Sequence, residues 1–301
     1  MNKILVIGSV ALDTIETPSG VSKEILGGSA TYFSISASFF SKVALVATVG
    51  EDFPDKYRTL IRSFDVDTRG LEVKKGRTFR WEGSYMKDMN CAETIDTQLN
   101  VFADFKPRLP EEYKKCKYIF LANIDPDLQL FLLKGSDDYK FIGCDSMNHW
   151  ITSKGKTLKK LINKVSAIFL NDAEARLLSG ESNVIKAGKY LLSLGPRLAI
   201  VKRGEYGSIL FSRDNTPFVS PAYPLETVCD PTGAGDTFAG GFVGYLAQTD
   251  SLDQATLRKA LLYGSTMASF TVEDFSVNKL LNIKRKNVEA RYKAFRKLIA
   301  A

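Results

Sequence analysis

The chain has 301 residues, 45% of them hydrophobic and 25% charged, with 41 basic and 34 acidic residues and a net charge of +7. That balance suits a folded enzyme with room for one large domain and excludes a disordered chain. A single histidine, His149, excludes multi-histidine metal sites, and the separated Cys91, Cys116, Cys144 and Cys229 offer neither a zinc pair nor a disulfide framework.

In chain order, Lys3–Val10 predicts a buried strand. It is too short, and too soon followed by Asp13, to be a leader. With no apolar run long enough to span a bilayer, a cytoplasmic location with no membrane partner is expected. Further strands are predicted over Val43–Val49, Lys117–Leu121, Lys140–Cys144, Ala167–Leu170 and Leu198–Val201. Helical patterns lie near 29–40, 55–64, 127–134, 155–164, 173–194, 234–247 and 255–271. This alternation implies βαβ units, hence an α/β sandwich with a mostly parallel sheet covered on both faces.

The stretch 70–102 breaks the rhythm. Thr78–Tyr85 and Cys91–Val101 read as antiparallel strands joined by the turn Met86–Asn90, a β-ribbon suited to act as a lid over a site at the strand ends. Its open edges are where two copies of the chain would pair as a homodimer. No linker or repeat divides the sequence, so one domain over 1–301 is expected. Beyond residue 277 lie eight basic residues and one acid, whereas the rest balances at 33 of each. There Val288, Tyr292, Phe295 and Ile299 share one helical face. The tail therefore reads as a docked helix with a solvated basic face, and no nucleic-acid partner is expected.

The chemistry concentrates in Asp230-Pro231-Thr232-Gly233-Ala234-Gly235-Asp236. A glycine-bearing loop entering a helix gathers unpaired N–H groups at the positive end of the macrodipole, which binds anions and phosphate above all. Gly233, Ala234 and Gly235 would form this anion hole. Asp236, in the first helical turn, would accept the proton of an attacking hydroxyl while the hole steadies the transferring phosphoryl group. Gly240, Gly241 and Gly244 suggest a helix packed tightly on its neighbours. A P-loop reading of Gly155-Lys156-Thr157 fails because Trp150 stands where its first glycine belongs, and a dinucleotide reading of Gly233-x-Gly235 fails at Phe238.

Asp230–Asp236 resembles the C-terminal signature of the PfkB, or ribokinase-like, family of sugar, nucleoside and related kinases. Gly27-Gly28-Ser29-Ala30-Thr31 resembles the Gly-Gly segment beside the substrate, and Asp13 the acidic residue that binds substrate hydroxyls. Asn171-Asp172-Ala173-Glu174 matches the N-x-x-E motif, and Val201-Lys202-Arg203-Gly204-x-x-Gly207 the strand and turn bordering the nucleotide. The resemblance runs from about residue 3 to about residue 272. It implies a ribokinase-like three-layer α/β/α sandwich with a small β lid. The implied reaction is ATP-dependent transfer of the γ-phosphoryl group to a hydroxymethyl group of a small sugar-like acceptor. Asp13, Gly27, Gly28 and Thr31 would meet the acceptor, and Lys202, Gly204 and Thr232 the ATP. Glu174 with Asn171 would hold Mg2+ through water.

Two departures stand out. Tyr32 occupies a position where many members have asparagine, and Val272–Ser276 replaces a frequent Gly-Ala pair near a monovalent-cation region, leaving the carbonyl of Asp230 for K+. Phe33, Phe79, Trp81 and Tyr85 are candidates to pack on a sugar face or a nucleobase. Asp13 and the Gly-Gly segment favour a sugar as acceptor. A nucleoside such as adenosine is the alternative, and a catalytically silent ligand-binding protein on the same fold is the alternative of another class.

Overall fold

The computed structural model describes residues 3–86, 88–133, 138–213 and 215–299. Its strands are β1 (Ile4–Ile7), β2 (Ala11–Thr17), β3 (Gly20–Gly27), β4 (Val43–Gly50), β5 (Val66–Lys74), β6 (Arg80–Ser84), β7 (Glu93–Gln98), β8 (Tyr118–Leu121), β9 (Phe141–Asp145), β10 (Ala167–Asn171), β11 (Leu198–Lys202), β12 (Ser208–Ser212) and β13 (Asn215–Ser220). The main sheet has nine strands among the described residues, in the order β13-β12-β11-β10-β9-β8-β1-β4-β5. It is parallel from β11 to β5, with β12 and β13 added antiparallel at one end.

The strand period of two decides how this sheet is covered. Ile4 and Val6 of β1, Phe169 of β10 and Ile200 of β11 enter one apolar core; Leu5, Ile7, Ile168 and Val201 enter the other. Helices α1 (Ser29–Ser38) and α2 (Asp55–Ser63) line the first core. Helices α3 (Pro126–Leu132), α4 (Asn148–Ser153), α5 (Gly155–Ile162), α6 (Asp172–Ser179) and α7 (Val184–Ser193) line the second. Then α8 (Ala234–Thr249), α9 (Gln254–Thr271), α10 (Asn278–Leu281) and α11 (Arg285–Ile299) return to the first. The result is the expected three layers.

Within the first core α8 presses against α1. A Cβ on Gly240 would stand 2.5 Å from the backbone oxygen of Phe33 and 2.7 Å from Cβ of Ser36. Gly240→Ala is therefore expected to force the helices apart and lower stability by about 1–3 kcal/mol. Denaturant unfolding measures this, and an unchanged midpoint would count against the contact. The basic tail docks as α11: Val288, Tyr292 and Phe295 are buried, the Tyr263 and Tyr292 rings stack at 3.9 Å, and Arg291 pairs with Glu273 at 2.5 Å.

A second sheet of four strands, in the order β3-β2-β6-β7, stands apart from the main one. The antiparallel pair expected from the ribbon is β6 with β7, but the rest of that reading needs correction. Residues 70–74 belong to β5 of the main sheet, where Val73 pairs with Val49. The other half of the small sheet comes from 11–27, a stretch beyond the predicted strand Lys3–Val10 to which no element is assigned above. Ala11–Thr17 and Gly20–Gly27 form a hairpin closed at Pro18-Ser19, with Ser19 N donating to Thr17 Oγ1 at 3.1 Å. The single helix predicted over 173–194 is two, because Gly180 ends α6 in the left-handed region at φ 74° and Asn183 caps α7 afresh. Residue 134 of the predicted 127–134 helix and Lys87 of the predicted turn lie outside the described residues. Among the described residues no helix is long and apolar enough to cross a membrane.

Candidate active site

Asp230 anchors the loop that enters α8. Fully buried, it accepts from Thr232 N at Oδ1 (2.8 Å) and from Ser276 N at Oδ2 (3.2 Å). These bonds bend the chain so that Gly233, the N-cap of α8, takes φ 71°. A Cβ there would also meet the Tyr32 ring at 2.3 Å, so both conformation and space demand glycine. Thr237 N closes onto Gly233 O at 2.8 Å, and Ala234 N is committed to Pro231 O at 3.1 Å. Of the three residues expected to form an anion hole, Ala234 has its donor committed in this way, while the amides of Gly235 and Asp236 sit in the first turn with no intrahelical carbonyl to reach.

Asp236 lies half-buried at this end of α8. Burial and the negative charge of Asp145 push its carboxyl well above the usual range, Lys202 opposes them, and Glu174 and Asp13 add to the rise. Lys202 ends β11 and gives its Nζ to Asp145 Oδ2 at 2.8 Å, the two side chains being 16% and 6% exposed. A Cβ on Gly235 would come within 3.0 Å of that Nζ, so the ammonium rests against the first turn of α8. Burial lowers the tendency of Lys202 to hold its proton, but Asp145, Glu174 and Asp236 raise its pKa overall.

Asn171 and Glu174 form a reciprocal cap on α6: Asn171 N donates to Glu174 Oε2 at 2.7 Å, and Glu174 N to Asn171 Oδ1 at 2.8 Å. Only one oxygen of the Glu174 carboxylate serves the cap. Burial lifts Glu174 to about 7 against the pull of Lys202. A carboxylate lifted in this way gains from a nearby cation, so the pair fits a magnesium ion held largely through water. Among the described residues no cluster of three or more His, Cys, Asp or Glu could hold a metal alone.

Asp13 lies on β2 and is 4% exposed. Burial raises it to about 7, a hydrogen bond from the Gly28 amide works the other way, and Asp230 adds to the rise. Its carboxylate fills the space over Gly27, where a Cβ would stand 1.8 Å from Oδ2. Gly28, at φ 94°, caps α1. Thr31 is buried, and its hydroxyl donates to Gly27 O at 2.7 Å, fixing the glycine pair and leaving no proton for an acceptor. Gly204, at φ 54°, turns beside the small sheet, where Asn90 Oδ1 accepts from Glu205 N and Asn90 Nδ2 donates to Glu205 Oε1, both at 3.2 Å. Thr232 Oγ1 donates to Tyr85 Oη at 3.3 Å. Asp145, Asn171 and Lys202 all stand at carboxyl ends of parallel strands, the usual location for a ligand site in such sheets.

Of the four aromatic candidates, Phe33 is a core residue, fully buried and stacked on Phe120 at 4.2 Å, and Phe79 stacks on Phe102 at 5.5 Å. Trp81 differs. It pairs with Asp13 across β2 and β6, so both side chains leave the same face of the small sheet. Its ring lies over Gly83, where a Cβ would be 2.1 Å from Cη2, and its Nε1 donates to Thr94 Oγ1 at 3.3 Å. Sequence reasoning missed Asp145 as the partner of Lys202. The available signal was an acid closing a buried strand, Phe141–Asp145.

The profile of the pfkB family carbohydrate kinases matches residues 1–283. A cytidine kinase from Thermococcus kodakarensis is 31% identical over 252 residues, 81% of this chain and 89% of its own. The nucleoside kinase of Methanocaldococcus jannaschii, described as an archaeal member of the ribokinase family, shares the fold with a TM-score of 0.77 at 21% identity, over 98% of this chain and 99% of its own. So does the aminoimidazole riboside kinase of Salmonella enterica, solved with its riboside and an ATP analogue (TM-score 0.73, 18% identity, 97% and 100% covered). Across nearly its full length, then, this chain belongs to the pfkB family of carbohydrate kinases, phosphotransferases whose acceptor is an alcohol group.

Proposed function

We propose that the protein transfers the γ-phosphoryl group of ATP to the hydroxymethyl group of a nucleoside, with Asp236 as general base. The observation that carries this is the convergence of Asp236, Lys202 and the first turn of α8 on one point at the strand ends, with Asp13 near enough to raise the Asp236 pKa. Asp236 takes the proton of the attacking hydroxyl. The amides of Gly235 and Asp236, with Lys202, draw off the negative charge that builds on the transferring group. Asp13 accepts hydrogen bonds from other hydroxyls of the acceptor, and Gly204 and Thr232 border the ATP. Mg2+, held through water by Glu174 and Asn171, supplies further charge neutralisation when bound. K+ at the Asp230 carbonyl belongs to the same proposal, and activity in potassium against sodium buffers tests it.

Sequence alone favours a sugar. The placement of Trp81 on the same face of the small sheet as Asp13 supports a nucleoside, because an aromatic ring on the face that carries a hydroxyl-binding carboxylate offers a base a surface to pack on. The identity with a cytidine kinase points the same way. The test is ATP turnover on cytidine, adenosine, ribose and fructose. Nucleoside turnover is expected; turnover of the free sugars alone would move the acceptor back to a sugar, and tight binding without turnover would favour a silent binding protein.

The small sheet then acts as a lid, with Asn90 as its contact on the nucleotide side. Asn90→Ala removes two exposed hydrogen bonds, each of about 0.5–1.5 kcal/mol. The acceptor KM is expected to rise about 3- to 10-fold, with a drop in Tm of no more than a few degrees. An unaltered KM would argue against closure through this contact.

A further inference from the structure

Tyr32 lies in the first turns of α1, 1% exposed. Its ring lies flat on Gly233: a Cβ there would stand 2.3 Å from Cγ and Cδ2 and 2.5 Å from Cδ1. The ring thus fills the space over the N-cap of α8, and its hydroxyl projects beyond. That hydroxyl is buried and has no hydrogen-bond partner among the described residues. Buried hydroxyls are nearly always paired, with protein, ordered water or ligand, so an unpaired one beside a candidate ligand site is available to a group that the ligand brings. Apart from burial, the groups acting on this phenol are Asp230, Asp13, Tyr85 and Asp236, every one of them placed at the site described above. Together they push its pKa well above the usual value, so it keeps its proton and acts as a donor.

We propose that the Tyr32 hydroxyl is a specificity-determining donor to a ring hydroxyl of the acceptor, held between Asp13 and Asp236. This rests on the kinase reading above. Asp13 and Asp236, when ionised, can only accept hydrogen bonds, so they can satisfy the protons of the acceptor hydroxyls but not their lone pairs. Tyr32 supplies the complementary donor. An acceptor lacking the hydroxyl it reads leaves the phenol unpaired in the closed complex, and such sites discriminate strongly against the deoxy analogue.

The experiment compares wild type with Tyr32→Phe on cytidine, 2′-deoxycytidine, 3′-deoxycytidine and ribose, each with ATP and Mg2+. A parallel series measures the shift in Tm that each probe causes without ATP. Phenylalanine keeps the ring on Gly233, so the unliganded variant should melt at or above the wild-type Tm. The expected result is that the kcat/KM ratio between cytidine and one of its deoxy analogues falls at least ~10-fold in the variant. The matching ratio of binding constants should fall alongside it. Unchanged ratios for every pair overturn the assignment and leave the kinase reading standing. A lower Tm of unliganded Tyr32→Phe also overturns it, since the hydroxyl would then have a partner within the protein. A wild type that neither phosphorylates nor binds any of these probes overturns both.

Discussion

Asp236→Asn is expected to lower kcat by about 10²- to 10⁴-fold, the usual range for a positioned general base, while raising the Tm of the unliganded protein. The two effects share one cause. Asp236 has its carboxyl pushed up by burial, then by Asp145, against the opposing charge of Lys202. A carboxyl whose folded pKa lies above its unfolded value favours folding fully below the unfolded value, about 3.9, and that advantage is lost as pH rises through the folded value. At neutral pH the wild type therefore carries a penalty that asparagine removes. Asp13 and Glu174, both lifted to about 7, act with the same sign. Asp52, Asp67, Asp127 and Asp253 are shifted the other way, and their contribution disappears only in more acidic solution. The unliganded wild type should accordingly melt higher at pH 5 than at pH 8, and Asp236→Asn should flatten that slope. Calorimetry across this range checks the stability claim, and steady-state turnover checks the catalytic one. A variant with wild-type kcat would remove Asp236 from the mechanism. A lower Tm would mean that its carboxylate is held favourably.

The main sheet and the loop at 230–236 were legible in the sequence for physical reasons. Buried parallel strands such as Ala167–Asn171 must be apolar on both faces, which makes them continuous runs, and a turn that enters a helix through the left-handed region needs glycine there. The small sheet was less legible because its strands have little core to fill. Glu93–Gln98 is exposed throughout, and half of β3 is exposed, so neither carries a continuous apolar signature. The Asp145–Lys202 pair was out of reach because 57 residues separate its members and only the pairing of β9 with β10, and β10 with β11, brings them together. Gly180 was readable as a helix end, but the apolar period on either side masked it. Thr31 matched its motif, yet its hydroxyl donates to Gly27 O. A motif fixes where a residue stands, and the local hydrogen bonds decide what it has left to offer a ligand.

That distinction bears most on Lys202, a cation set among the carboxylates of Asp145, Glu174 and Asp236. Lys202→Met removes the partner of Asp145, whose side chain is 6% exposed, and leaves Glu174 and Asp236 without a counter-charge. Breaking a buried pair from one side typically costs about 3–5 kcal/mol, because the stranded charge must be neutralised or rehydrated. Activity should fall at least ~10²-fold as well, since the ammonium sits against the first turn of α8 where charge develops during transfer. Adding Asp145→Asn to Lys202→Met removes the stranded carboxylate, so the double variant should recover much of the lost stability while staying inactive. That separation is what a catalytic lysine requires. If stability and kcat recovered together, Lys202 would be a structural counter-ion for Asp145, and charge neutralisation would fall to the helix amides alone. If the double variant were as unstable as Lys202→Met, the two side chains would not be coupled in the way their 2.8 Å contact implies.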